Sequence, residues 1–126
     1  MRHNLLNVPG GLEVQSSGRV LARDVRWARS WRERSRGLLG SPLKSGEALV
    51  LTPAKQVHTF GMGYPIDVVF CDKSWTIRHI ARSVAPRRFT RIVFSARYVV
   101  ELPQGTVPDD LTVGETLSVD QPTRDL

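Results

Sequence analysis

Apolar positions along the chain recur mostly in short runs of period two, closed off by Gly, Pro, Asp and Ser, which is the pattern of many short β-strands. Leu12 to Gln15 reads as a short strand and Ser16-Ser17-Gly18 as a turn. Arg19 to Trp27 reads as a longer strand, with Leu21, Val25 and Trp27 on one face interrupted by Arg23. Ala48 to Leu51 predicts a buried strand ended by Thr52-Pro53. Ile66 to Cys71 is the most apolar run, and Asp72-Lys73-Ser74 turns it back into Trp75 to Ile80 as a hairpin. Arg91 to Phe94 is a further short candidate. Ala96 to Leu102 is a clear strand, with Ala96, Tyr98, Val100 and Leu102 directed to the core, and Thr116 to Val119 is the last.

One segment has a different period. Ser30-Trp31-Arg32-Glu33 is a capping box, Trp31, Ser35, Leu38 and Leu39 fall at helical spacing, and Gly40-Ser41-Pro42 supplies a stop. Pro108-Asp109-Asp110-Leu111 suggests a single helical turn, and Val113-Gly114-Glu115 a tight turn. The expected fold class is mostly β (α+β): a small, partly closed β-barrel, or a strongly bent sheet, with one short α-helix plugging an end. At 126 residues the chain is read as a single domain, residues 1–126, with a core from about 12 to 119 and tails at 1–11 and 120–126.

Charge and cysteine content narrow the function classes. The lone Cys71 excludes an intramolecular disulfide and a multi-cysteine zinc site. The formal charge is +6, carried by 15 Arg and 3 Lys, with one cluster at Arg29, Arg32, Arg34 and Arg36 and a second at Arg82, Arg87, Arg88 and Arg91. Such clusters attract phosphates and anionic surfaces. Neither is read here as interleaved with exposed stacking aromatics, so nucleic acid is not the expected partner. No apolar run approaches the roughly 20 residues of a membrane span. The N-terminal residues lack a signal-like apolar stretch, so a cytoplasmic location is expected, or the envelope if a leader was trimmed.

Candidate chemistry gathers in the stretch from Gln56 to Cys71, where His58, Thr59, Phe60, Met62 and Tyr64 sit beside the permissive Gly61 and Gly63. Met62, Phe60 and Tyr64 suit the wall of a small-ligand pocket, with His58 and Thr59 at its rim. They suit the sealed end of a barrel equally well. Asp67 and Glu101 are carboxylates inside apolar strands, expected to face solvent or to pair with an arginine such as Arg97 or Arg78. His58 with Asp67 or Glu101 is a conceivable acid-base or metal set, but no second histidine stands at ligand spacing, so no metal and no cofactor are expected. Cys71 lies beside Asp72, which disfavours a thiolate. No nucleophile elbow, P-loop or dinucleotide fingerprint is present.

Four segments together resemble the DUF192 (UPF0127) family. Arg34-Ser35-Arg36-Gly37-Leu38-Leu39-Gly40 is similar to its Arg-Gly-Leu-Met segment. His58-Thr59-Phe60-Gly61-Met62, followed by Pro65 to Phe70, is similar to its central signature, although many members read Trp-Met-x-Asn-Thr there. Ala96 to Leu102 with Pro103 and Gly105 is similar to the strand ending Leu-Glu-Leu-Pro-x-Gly, and Val113-Gly114-Glu115 to the closing turn. The resemblance spans roughly residues 18 to 119 and implies a fold without implying catalytic residues. The expected function is a non-catalytic small-ligand or protein-binding accessory module with its site around Val57 to Tyr64. The alternatives are a small hydrolase or metal-dependent enzyme using His58 with Asp67 or Glu101, and an Arg-rich binder of anionic surfaces or nucleic acid.

Overall fold

The computed structural model describes residues 11–29 and 42–120. Their regular structure is eight strands: β1 (Leu12–Val14), β2 (Val20–Ala22), β3 (Asp24–Ala28), β4 (Glu47–Leu51), β5 (Ile66–Cys71), β6 (Ile77–Val84), β7 (Tyr98–Pro103) and β8 (Leu117–Val119). They form a three-stranded sheet in the order β2-β1-β8 and a five-stranded sheet in the order β3-β4-β7-β5-β6. β3 and β4 are parallel, and the other pairs are antiparallel.

This corrects the expected architecture. The described residues are all-β, not α+β, and the larger sheet ends in two edges, β3 and β6, that do not pair with each other, so no barrel closes. The expected helix from Ser30 to Leu39 lies outside the described residues. Residues 108–111 form a turn closed by the Leu111 amide on the Pro108 carbonyl at 3.1 Å, not a helical turn. The run from Arg19 to Trp27 is two strands in different sheets. The amides of Arg23 and Asp24 both donate to the Gly46 carbonyl, at 2.9 and 3.0 Å, and this bend passes the chain from one sheet to the other.

β5 lies between β7 and β6, and all six of its residues are buried. Both of its faces are covered, which accounts for the near-continuous apolar run Ile66 to Cys71. Val69, Cys71, Val100 and Leu102 point to the side covered by the small sheet, where they meet Leu12, Val14 and Leu117. Val68, Phe70 and Val99 point to the other side, where Val57, Met62, Val93 and Ala96 from two loops cover them. The sheets join at one corner. There the Ile77 amide donates to the Glu115 carbonyl at 2.8 Å and the Leu117 amide to the Trp75 carbonyl at 2.9 Å.

The hairpin between β5 and β6 is closed by a side chain. Asp72 accepts through Oδ1 from the amides of Ser74 and Thr76, at 2.9 and 3.1 Å, and through Oδ2 from Arg78 Nε at 2.9 Å. Trp75 consequently sits at φ 65° and stacks on Tyr98, centroids 4.0 Å apart, with the Trp27 ring against their edges. Such aromatic pairs add about 0.5–1.5 kcal/mol to the area they bury.

Asp67 is the polar exception in β5. At 1% exposure it meets neither solvent nor an arginine. Its Oδ1 accepts from the Ser83 amide at 2.9 Å, and its Oδ2 from the amides of Gly105 and Val107, both at 3.1 Å. The pairing of β5 with β6 shifts register between Ile66 and Val68, and Ser83, at φ 53°, lies in that bulge. The carboxylate therefore replaces the ladder acceptor that the bulge removes and holds the turn after β7 at the same time. Asp67→Asn turns an NH2 group towards at least one of these donors. Its expected effect is a loss of about 2–4 kcal/mol of stability, read from urea unfolding.

Candidate functional site

Two loops run side by side over the second face of the large sheet. The chain leaves β4 through a cis Thr52–Pro53 bond, and residues 55–60 then pair irregularly with residues 87–93. The Thr59 amide donates to the Arg88 carbonyl at 2.8 Å, the Thr90 amide to the Val57 carbonyl at 2.9 Å, and the Val93 amide to the Lys55 carbonyl at 2.8 Å. His58 and Phe89 form an isolated antiparallel bridge between them. The result is a two-faced ribbon. Val57, Thr59, Thr90, Val93 and Ala96 are buried against the sheet, while Phe60, Phe89, Ile92 and Phe94 are exposed.

Two buried threonines hold the ribbon together. The Thr59 hydroxyl donates to the Ala85 carbonyl at 2.6 Å and accepts from the Arg88 amide at 2.9 Å. The Thr90 hydroxyl accepts from the Val57 amide at 3.1 Å. Thr59 to Met62 is a β-turn, with the Met62 amide donating to the Thr59 carbonyl at 3.2 Å and Gly61 at φ 88°. A positive φ at the third position is what a type II turn demands, and glycine meets it without strain.

The candidate residues divide accordingly. His58 accepts through Nδ1 from the Phe60 amide at 3.3 Å, and its ring lies 5.7 Å from Phe60 and 6.0 Å from Phe89. Thr59 and Met62 are buried structural members of the ribbon, and Tyr64 packs partly buried on the second core. Glu101 is fully buried in β7, opposite Leu49 and Val68, and so points to the ribbon side. Asp67 points the other way, towards Val107 under the small sheet. The two carboxylates therefore do not form an acid-base pair. Among the described residues no three His, Cys, Asp or Glu side chains gather as potential metal ligands.

A cavity of about 460 Å³ opens where the ribbon meets the ends of β3 and β4, lined by Ala28, Arg29, Leu51, Val57, His58 and Phe89 among others. Of the stretch from Val57 to Tyr64, only Val57 and His58 line it. Arg29, at the end of β3, lies with its guanidinium 5.5 Å from the centre of the Trp27 ring.

Residues 85–97 are the part of the site that sequence reasoning missed. Phe89 is 65% exposed and Phe94 79%, and they alternate with exposed Arg87, Arg88, Arg91 and Arg97. The second arginine cluster is thus interleaved with exposed aromatics, contrary to expectation. The signal was present as Arg87-Arg88-Phe89-Thr90-Arg91-Ile92-Val93-Phe94 within a stretch, residues 73–100, that holds no carboxylate.

The fold and this loop-covered face define a small all-β domain of two packed sheets. The family model for DUF192, described as an uncharacterized ACR, matches residues 12–119, and the chain belongs to that family. None of the curated proteins compared matches it. Among solved structures, a proposed transcription regulator from Sinorhizobium meliloti 1021 is similar at 23% identity and a TM-score of 0.68, over 87% of this chain and 91% of that one. A protein of unknown function from Novosphingobium aromaticivorans is similar at 18% identity and a TM-score of 0.71, over 94% and 91% of the two chains. Both likenesses concern the fold.

Two titrations test the electrostatics. Burial, and secondarily Asp72, pushes the Cys71 thiol far above its ordinary value of 9.0. Cys71 is expected to resist a thiol reagent such as DTNB in the folded protein and to react once the chain is unfolded in urea. Burial, and secondarily Arg91, lowers the His79 imidazole below its ordinary 6.5. The unfolded chain then takes up a proton that the folded one resists, so stability is expected to fall as pH drops through 6.5 and to level off below the folded value. By NMR, the His79 midpoint should lie under 6.5 and move upwards in Arg91→Ala.

Proposed function

We propose that this chain is a non-catalytic binding module that takes a small, mostly apolar molecule with a polar end in the cavity between the ribbon and the ends of β3 and β4. The observation that carries this reading is the composition of the cavity. Apolar Ala28, Leu51, Val57 and Phe89 share its lining with the polar residues Arg29, Thr52, Gln56 and His58. Apolar walls with a few fixed polar groups are the usual make-up of a small-molecule site, and about 460 Å³ falls within the usual size range. The wall is also held in place, because the backbone on either side of His58 is hydrogen-bonded to residues 88–90. Little ordering cost is then left for the moment of binding. Hydrolytic or metal-assisted use of His58 with Asp67 draws no support from the geometry, because Asp67 is committed to three backbone amides under the other sheet.

Native mass spectrometry of the protein, purified without a histidine tag, tests the reading when combined with a fragment screen followed by NMR. The expected outcome is a retained or screened small molecule whose binding weakens by about tenfold or more in His58→Ala, the scale of one lost polar contact in a dry site. Bare protein in both forms, with no fragment shifting the amides of Ala28, Leu51 or Val57, would overturn it.

A further inference from the structure

The outer face of the ribbon extends beyond the cavity, with which it shares Phe89. Phe60 is 45% exposed, Phe89 65%, Ile92 47% and Phe94 79%, and together they account for four of the six large exposed hydrophobic side chains among the described residues. Phe60 and Phe89 touch edge to face, with centroids 5.2 Å apart. Around them stand exposed Lys55, Arg87, Arg88, Arg91 and Arg97, and residues 48–66 and 73–100 contain no Asp or Glu at all. Both loops therefore present only positive charge.

The display is built, not frayed. Lys55 Nζ donates to the carbonyls of Phe94 and Ala96, at 2.7 and 2.9 Å, and the Ala96 amide closes a turn on the Val93 carbonyl at 2.9 Å, which fixes the turn carrying Phe94. At the other end Arg87 is held at φ 63° by its amide on the Thr59 carbonyl at 3.2 Å, although such a conformation costs a residue with a side chain about 1 kcal/mol or more. Inner residues anchor the ribbon to the core while the outer ones project.

We infer that this ribbon docks the domain on the surface of an anionic lipid bilayer, with Phe60, Phe89, Ile92 and Phe94 entering the headgroup boundary and the arginines meeting lipid phosphates. Apolar and aromatic side chains ringed by cations, with no carboxylate, complement that surface in both polarity and charge. A single-stranded nucleic acid would use the charge but stacks its bases on open ring faces. Here Phe60 and Phe89 pack against each other, and the aliphatic Ile92 offers no stacking surface. Phe89 also lines the cavity, but Phe60, Ile92 and Phe94 do not, and the test is placed on Ile92 and Phe94.

Co-sedimentation of the whole protein with vesicles tests it. The vesicles are phosphatidylcholine with and without phosphatidylglycerol, and a single-stranded oligonucleotide is titrated in parallel. The protein is expected to sediment with the phosphatidylglycerol vesicles, and far less with pure phosphatidylcholine. Ile92→Ser/Phe94→Ser and Arg88→Glu/Arg91→Glu should each weaken binding by about tenfold or more. All four side chains are exposed, so unchanged circular dichroism and melting are expected to show that both variants fold. Protein that stays in the supernatant with anionic vesicles, or an unweakened Ile92→Ser/Phe94→Ser variant, overturns the inference. So does tight binding to the oligonucleotide alone, which would assign the surface to nucleic acid.

Discussion

The carboxylate of Asp67 is the constraint on which the relation between the two cores depends. β5 must be apolar to lie between covered faces, yet its pairing with β6 slips at a bulge and leaves the Ser83 amide without a ladder acceptor. One oxygen of Asp67 takes that donor, and the other takes two amides from the turn that follows β7. A buried charge is tolerable only when it is satisfied in this way. The bulge on β6 and the turn beyond β7 thereby share one acceptor group, so the edge and centre of the large sheet are fixed relative to the segment leading into the small one.

The opposite face follows a different logic. No strand covers it among the described residues. It is covered instead by a ribbon whose order comes from threonine hydroxyls and a lysine ammonium as well as backbone pairing. Side-chain bonds to backbone let a loop be rigid without regular structure. They also leave the outward positions of that loop outside the core, and those positions hold phenylalanine and arginine.

Parts of this were legible in the chain. Leu12 to Gln15, Ala48 to Leu51, Ile66 to Cys71 and Thr116 to Val119 were recognisable as strands because their apolar runs are short and end in turn residues. The run through Arg23 was not divided, since nothing in a one-dimensional pattern shows that two successive amides converge on Gly46. Ala96 to Leu102 was read as one-sided, whereas Val99, Val100, Glu101 and Leu102 are all buried because both faces are covered. Asp67 was assigned to solvent or an arginine. Its true partners are backbone amides, which every residue but proline carries and which therefore leave no mark in the sequence. Within the ribbon, His58 to Met62 stood out through its glycines. Its companion strip did not, because Pro86 interrupts the strand pattern and the exposed phenylalanines at 89 and 94 look like core residues until their surroundings are known.

β1 occupies the centre of the small sheet, with Leu12 paired to Val119 and the Asp120 amide on the Gly11 carbonyl at 3.0 Å. The first and last strands among the described residues are therefore immediate neighbours. Domains whose entering and leaving strands adjoin tolerate insertion into a host loop and circular permutation. In this fold the two adjoining strands lie in the small sheet, across the large sheet from the ribbon.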